Sequence, residues 1–326
     1  MRALVITESD TGVALRVEET DPRDADPADA RVIVEYSGVN YKDAMVAAAR
    51  SRVRRVARIV GGVDAAGTLA EPHGELPAGT VIAVHGGGLG VARDGGFATE
   101  VRAPTRWVSP LPEGLSARAA MIVGTAGWTA MASVLALEHH GLAPGAEVLV
   151  TGATGGVGSQ AVFYLARRGY RPVASTGSPD AAAWLHGLGA TAVIGRADVA
   201  DRPDRVLASE RWDGAIDCVG GSTLAQVLRA LRHGAAVAAS GLVASADLVT
   251  SVYPFITRAV SLIGVDAVEA PATQRARVWD EVARTVRAED LEVFVDREVG
   301  LGDLAAAFDD LREGRTRGRI LVDPRR

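Results

Sequence analysis

Hydrophobic and polar residues follow two different rhythms along this chain. Up to about residue 110, short apolar runs (Ala3–Ile6, Arg31–Tyr36, Val81–Val84, Phe97–Val101) are separated by clusters of Gly, Pro and Asp, the punctuation of a small β barrel or sandwich. The acidic, proline-containing stretch Glu18–Ala30 reads as a loop. From Ser116 the apolar residues recur at helical spacing through AAMIVGTAGWTAMASVLALEHHG, until Pro144-Gly145 resets the chain. Beyond it, strand-like runs at Val148–Val150, Pro172–Ser175, Ala192–Ile194, Gly214–Val219, Ala235–Ser240 and Ser261–Val265 alternate with helical stretches such as Ala181–Leu188 and Ser222–Leu231. Repeated strand–helix units predict a parallel sheet covered by helices on both faces. The last pieces are a helix at Gln274–Val286, a strand at Val293–Val299, a helix at Leu301–Leu311 and a strand at Arg319–Val322. They have no place in a six-stranded parallel sheet and are expected to return to the first, β-rich domain.

The stretch Val148–Gly158, VLVTGATGGVG, joins the first of those strands to a helix. Strand, glycine turn and helix are the context a dinucleotide fingerprint needs. Gly152 allows the tight turn, Gly155 lets the backbone approach a pyrophosphate, and Gly158 lets the helix pack close to the strand. The N–H groups of the first helical turn would face the phosphates. Gly152, Thr154, Gly155, Gly156 and Val157 are therefore cofactor-binding candidates.

Composition narrows the field. The chain has 326 residues, 48% hydrophobic, with a formal net charge of -5, which suits two domains and argues against a general nucleic-acid or membrane-surface binder. The apolar patch in MRALVITESD is too short for a signal peptide, and no apolar run is expected to approach the length of a membrane span. Cys218 is the single cysteine, which excludes an intramolecular disulfide and a multi-cysteine zinc cluster. His73, His85, His139, His140, His186 and His233 are scattered without ligand spacing and read as surface or loop histidines. No metal site is expected.

Several motifs together resemble one family. They are Asn40-Tyr41-Lys42-Asp43-Ala44, Gly62-Val63-Asp64-Ala65-Ala66-Gly67, Met121–Ala130, Thr151–Ser159, Gly214–Asp217 before Val219-Gly220, Tyr253–Ile256 and Gly264–Asp266. The chain resembles, over nearly its whole length, the zinc-free quinone-oxidoreductase-like branch of the medium-chain dehydrogenase/reductase superfamily, nearest to its acrylyl-CoA reductase group. The resemblance implies an α/β protein: a GroES-like β-rich catalytic domain (residues 1–119 and 266–326) and a Rossmann domain with a doubly wound parallel sheet (120–265). It implies a cytoplasmic homodimer that uses NADPH to reduce the activated double bond of a short enoyl-CoA or an enone, with no nucleic-acid or membrane partner. Other readings stay open: a quinone or enone oxidoreductase, or a non-catalytic NADPH-binding sensor or structural protein.

Without a metal to activate the electrophile, hydride addition at Cβ develops an enolate that hydrogen-bond donors can stabilise, and a proton donor then completes Cα. Tyr41 and Asn40 are the donor candidates, with Asp43 orienting its neighbours; a strand-end aromatic covering the core is the plain alternative for Tyr41. Thr125 and Thr129 are expected beside the nicotinamide, Thr125 alternatively capping a helix. At the end of the second strand, Thr176, Gly177 and Ser178 offer hydroxyls and amides with no carboxylate at the tip, which favours a 2′-phosphate over a bare ribose. Ser178 stands where the family carries an arginine, and Asp180 is close by. Arg196, after the third strand, matches a family arginine near the adenosine end, or else is a solvated loop residue. Val219, Leu242 and Ile256 complete the cofactor set, core packing being the alternative for Leu242 and Ile256. Arg50, Arg52, Arg54, Arg55 and Arg58 crowd the segment after Asn40–Ala44, either as a clamp for the phosphates of CoA or as a solvated basic loop. In that segment the family's prolines give way to Arg58 and Gly61, its glycines to Ala49 and Ser51, and the loop His85–Gly90 lacks the family's tryptophan.

Overall fold

A computed structural model describes residues 1–10, 12–23, 26–199 and 205–326. The first third is built of short strands: β1 (Arg2–Ser9), β2 (Gly12–Glu19), β3 (Ala30–Gly38), β4 (Arg58–Val60), β5 (Asp64–Leu69), β6 (Val81–His85), β7 (Glu100–Ala103) and β8 (Val108–Pro110). A short helix, α1 (Tyr41–Val46), separates β3 from β4, and the long α2 (Ala117–His139) follows β8. Then come β9 (Glu147–Thr151), α3 (Gly156–Arg167), β10 (Arg171–Thr176), α4 (Ala182–Gly187), β11 (Ala192–Gly195), β12 (Trp212–Asp217), α5 (Gly221–Ala230), β13 (Leu231–Ala239), α6 (Tyr253–Arg258) and β14 (Ser261–Gly264). The chain ends with α7 (Ala272–Thr285), β15 (Val295–Val299), α8 (Leu304–Arg312) and β16 (Arg319–Val322).

These elements form two compact units: Met1–Trp128 with Ala267–Arg326, and Thr129–Asp266. In the first, β2-β1-β4 make a three-stranded antiparallel sheet, and β15-β16-β3-β5-β6-β8 a larger one, with β7 also pairing β3. The C-terminal strand enters by pairing Leu321 with Gly38 and Val322 with Ser37, so it abuts the residues that lead into α1. One core of this unit gathers Ile6, Ile59, Phe97, Leu301, Phe308 and Ile320; another fills the larger sheet with Val32, Leu69, Ile82 and Trp107. In the second unit all strands are parallel, in the order β11-β10-β9-β12-β13-β14. Counted from β9, that order is 3-2-1-4-5-6, a Rossmann sheet whose switch point lies between β9 and β12. Leu149, Ala215 and Val237 are fully buried, as strands covered on both faces must be.

Three expectations need correction. The stretch Glu18–Ala30 is not all loop: β2 runs through Glu19 and β3 begins at Ala30, while residues 24 and 25 lie outside the described ones. Tyr41 does not end a strand; it opens α1, with Asn40 as N-cap and the Asp43 carboxylate accepting from the Asn40 N–H at 2.8 Å, the returning half of a capping box. Finally, α2 is long and apolar enough to cross a membrane by length and composition, because its interspersed Gly, Thr and Ser barely lower an average dominated by aliphatic residues. Of that apolar stretch, 83% is buried inside the protein, as in a core helix. Gly124, at φ 55° and ψ −167°, kinks α2.

Candidate functional site

Two candidates of the first unit, Asn40 and Thr125, converge on Asp64, a motif residue for which the sequence suggested no role. Asp64, fully buried at the start of β5, accepts hydrogen bonds from Asn40 Nδ2 (2.8 Å), the Thr125 N–H (3.0 Å) and the Thr125 hydroxyl (2.5 Å). Arg319 Nη2 on β16, itself 2% exposed, lies 3.3 Å from the same carboxylate. Arg319 also donates to Asn40 Oδ1 and to the Val39 carbonyl, both at 3.0 Å. The kink explains why Thr125 can take part. Gly124 ends one helical stretch, the next begins with an unsatisfied N–H at Thr125, and Asp64 supplies the acceptor. Asp64, rather than Thr125, is the cap. A Cβ on Gly124 would sit 2.7 Å from Asp64 Oδ2 and collide with the Arg319 guanidinium, so only glycine admits the pair at the kink.

Asp43, 1% exposed, accepts from the N–H of Asn40 and of Val63 (2.9 Å), tying α1 to the approach of β5. Burial pushes its carboxyl up to about 7, the Asn40 N–H pulls it back, and the charge of Asp64 raises it further. Burial likewise pulls the Arg319 guanidinium down from its ordinary value, against the attraction of Asp64 and Asp43. Asn40 spends its amide on neighbours: Nδ2 donates to Asp64 and to the Gly38 carbonyl (3.2 Å), and Oδ1 accepts from Arg319. Tyr41, partly exposed, makes no side-chain hydrogen bond among the described residues.

His85 is neither surface nor loop. It ends β6 opposite Asp64, 1% exposed, with its ring 5.5 Å from that of Trp128 and 6.1 Å from that of Trp279. Burial and the adjacent Arg275 hold it down at about 4, so it is neutral at physiological pH. Arg275 donates to the carbonyls of His85 (2.7 Å), Val268 (2.7 Å) and Ala270 (3.0 Å).

In the second unit the cofactor candidates gather at the carboxyl edge of the parallel sheet. Gly152 turns the chain at φ 61°, and a Cβ there would lie 3.3 Å from Val219 at the end of β12, so these two ends are adjacent. A Cβ on Gly158 would run into the Gly152 carbonyl, which explains the third glycine. Gly155 is the N-cap of α3, followed by Gly156 and Val157, and no side chain caps the helix; its first N–H groups are therefore placed to take phosphate oxygens. Thr154 lies in the same turn, partly exposed. Asp217 ties the turn together by accepting from the Thr151 hydroxyl and the Gly220 N–H, both at 2.7 Å. After β10, the Thr176 hydroxyl accepts from the Ser178 N–H at 3.0 Å, and the exposed Arg196 lies over Gly177, whose Cβ would sit 2.5 Å from Nη2. Arg196 thus joins Thr176, Gly177 and Ser178. Core packing does not account for Leu242 or Ile256, which are 47% and 72% exposed. Thr129 is buried, its carbonyl accepting from Ser133 at 2.8 Å. Burial and Asp217 push the Cys218 thiol up, away from the thiolate form that a nucleophile needs. A cavity of about 360 Å³ at the opposite, amino edge of the sheet, lined by His140, Pro144, Asp213 and Arg232 among others, contains none of these residues.

The chain is similar to known proteins over almost its whole length. The acrylyl-CoA reductase AcuI of Ruegeria pomeroyi is 42% identical over 309 residues, 94% of this chain and 93% of that protein. The chain is a medium-chain dehydrogenase/reductase. YhfP of Bacillus subtilis, provisionally named a quinone oxidoreductase, is 41% identical over 98% of both chains, and its structure with NAD bound superposes with a TM-score of 0.94. The structure of YhdH of Escherichia coli K-12 with bound NADPH, 36% identical and covering 99% of each chain, gives a TM-score of 0.93. The zinc-binding dehydrogenase family matches residues 156–284. Despite that family's name, the donor set of this dehydrogenase/reductase does not fit zinc: among the described residues no three His, Cys, Asp or Glu side chains stand together as ligands.

Proposed function

We propose that the protein is an NADPH-dependent reductase of an activated C=C bond, that of a short enoyl-CoA. The observation that carries this reading is the likeness, over almost the whole chain, to an acrylyl-CoA reductase and to a structure holding NADPH. The α3 amino terminus and the Gly152–Gly158 turn would hold the pyrophosphate, and Arg196 over Gly177 would take the 2′-phosphate, its single charge standing in for the arginine missing at Ser178. When bound, the reduced nicotinamide supplies a hydride to the substrate's Cβ, and the displaced electron pair collects on the thioester oxygen as an enolate. The Tyr41 hydroxyl is the donor we assign to that enolate and to Cα. Both Asn40 N–H bonds already serve Asp64 and Gly38, so Asn40 and Asp43 act by holding the start of α1 in place. The Thr125 hydroxyl proton is committed to Asp64, which leaves that oxygen to act toward a nicotinamide carboxamide as an acceptor.

Assays of acrylyl-CoA, crotonyl-CoA and a quinone with NADPH test this reading. Turnover of the thioesters well above the quinone is expected; the reverse order makes it a quinone reductase, and binding without turnover on any of them a sensor or structural protein. A homodimer belongs to the same proposal. It is supported by β14, the edge strand of the parallel sheet, with Leu262 39% exposed, and by the exposed Val249, Val252 and Tyr253 in the segment that precedes it in the chain. Light scattering that returns a monomer mass would remove it. A cytoplasmic location, where NADPH and CoA thioesters meet, completes the reading.

A further inference from the structure

The five arginines between Arg50 and Arg58 are not equivalent. Arg54 is 7% exposed: its guanidinium donates to the Val46 carbonyl at the end of α1 and pairs with Glu8 at 2.5 Å. Arg58 pairs with Glu18 at 2.6 Å and donates to the Thr20 hydroxyl at 3.0 Å. These two build the loop. Arg50, Arg52 and Arg55 are exposed, and among the described residues none of their guanidinium groups forms an ion pair or a side-chain hydrogen bond.

The loop that presents them is held in one shape. The Ser51 hydroxyl donates to the Met45 carbonyl at 2.7 Å and accepts from the N–H of Val53 and Arg54, both at 3.1 Å. The Arg55 N–H donates to the Val91 carbonyl at 2.9 Å. Glu8 accepts from the Arg50 N–H at 2.7 Å as well as from Arg54. Arg50 is held at φ 52°, a left-handed conformation that glycine adopts freely and an L side chain does not. A cationic side chain thus occupies a position whose backbone would suit glycine. The arrangement concentrates positive charge on a chain whose net charge is -5. It also follows the proposed chemistry closely along the chain: α1 rises only about 7.5 Å from Tyr41 to its last residue, and the arginine segment comes next. A pantetheine arm is longer than this helix, so a thioester beside Tyr41 leaves the phosphates of the nucleotide end within reach of the segment that follows α1.

We propose that Arg50, Arg52 and Arg55 form the subsite for the phosphate groups of the coenzyme A moiety, a substrate-specificity element that rests on the enoyl-CoA reading above. Exposed guanidinium groups outside any ion pair bind phosphate oxygens as forks, even with the Arg50 charge also felt by Glu8, and a preordered loop loses little freedom in doing so.

The test compares acrylyl-CoA with acrylyl-pantetheine, which has the same reacting end and lacks the nucleotide. Three proteins are assayed: wild type, the triple variant Arg50→Ala/Arg52→Ala/Arg55→Ala, and Arg16→Ala, which removes an exposed arginine of β2, as a control for general charge. The triple variant should raise KM for acrylyl-CoA about tenfold or more, with kcat within about twofold and the pantetheine thioester unaffected. Adenosine 3′,5′-bisphosphate should inhibit wild type competitively and the triple variant far more weakly, with Arg16→Ala behaving like wild type. Equal effects on both thioesters, or none on either, would overturn the subsite while leaving the enoyl reductase standing. A wild-type protein that reduces neither thioester would end both.

Discussion

Replacing Asp64 by Asn is the sharpest probe of the first unit. The change is isosteric and leaves the hydrogen-bond count almost intact. The carboxamide oxygen of the variant could keep the donors now at Oδ2, from Asn40, Thr125 and Arg319, while its NH2 group points at a Thr125 hydroxyl turned round to accept. What disappears is the charge opposite Arg319, which is 2% exposed. Orphaning one member of a buried ion pair costs about 3–5 kcal/mol. Asp43 softens this, because its carboxyl is raised by Asp64 and lowered by Arg319; without Asp64 it ionises more readily and takes over part of the attraction. We therefore expect about 3 kcal/mol, or about 6–12 °C in the melting temperature of this unit. Thermal and urea unfolding measure it, and the same protein should show a raised KM for NADPH, since the Thr125 hydroxyl has reversed its polarity. The companion Asp64→Asn/Arg319→Met removes both partners and should recover a good part of the loss. An Asp64→Asn protein melting within a degree or so of wild type, or a double variant no better than the single, would refute the reasoning.

Other expectations follow from the same contacts. Gly124→Ala places a methyl against Asp64 and Arg319 at a positive φ and should cost about 2 kcal/mol or more, read as a lower melting temperature; no change would mean the kink is not what admits the pair. Arg196→Ala should raise KM for NADPH more than for NADH, and equal effects would remove Arg196 from phosphate recognition. Two buried groups should oppose each other in stability against pH. Asp43, raised from 3.8 to about 7, holds its proton in the folded state after the unfolded chain has lost it, so its contribution is full at acid pH and fades as pH rises from about 4 to 7. His85, lowered from 6.5 to about 4, refuses a proton that the unfolded chain accepts, so its contribution is full above about 6.5 and fades as pH falls to about 4. In wild type the two slopes largely cancel. His85→Gln should unmask a loss of stability with rising pH and Asp43→Asn a gain; identical pH profiles for both variants would contradict the assignment.

Much of the second unit was readable from sequence, for a physical reason. Strands buried on both faces must be continuous apolar runs, so Val148–Val150 and Pro172–Ser175 announce themselves, and the glycine turn marks its own place. The exception is the start of β13, where α5 passes straight into the strand at Leu231 with no turn residue to flag the change. The first unit hid more. The polar edge strand β2 is paired by a partner rather than marked by its own composition, and the six-residue α1 is too short to display a period. Asn40, Asp43 and Thr125 stood out as motif residues, but Asp64 and Arg319 are 255 positions apart, and nothing local in Gly-Arg-Ile-Leu-Val says which carboxylate its arginine meets. A charged residue embedded in an apolar strand was the available signal. The same holds for His85 beside Trp128 and Trp279, where burial is decided by residues far along the chain.

The central claim is that a nicotinamide hydride goes to the β-carbon of an enoyl thioester and a solvent-derived proton to the α-carbon. Acrylyl-CoA reduced with NADPH deuterated at the transferring position, followed by NMR of the propionyl product, tests it most directly. The account predicts deuterium at C3 and none at C2. Label at C2, label lost to water, or no label in the product would contradict it.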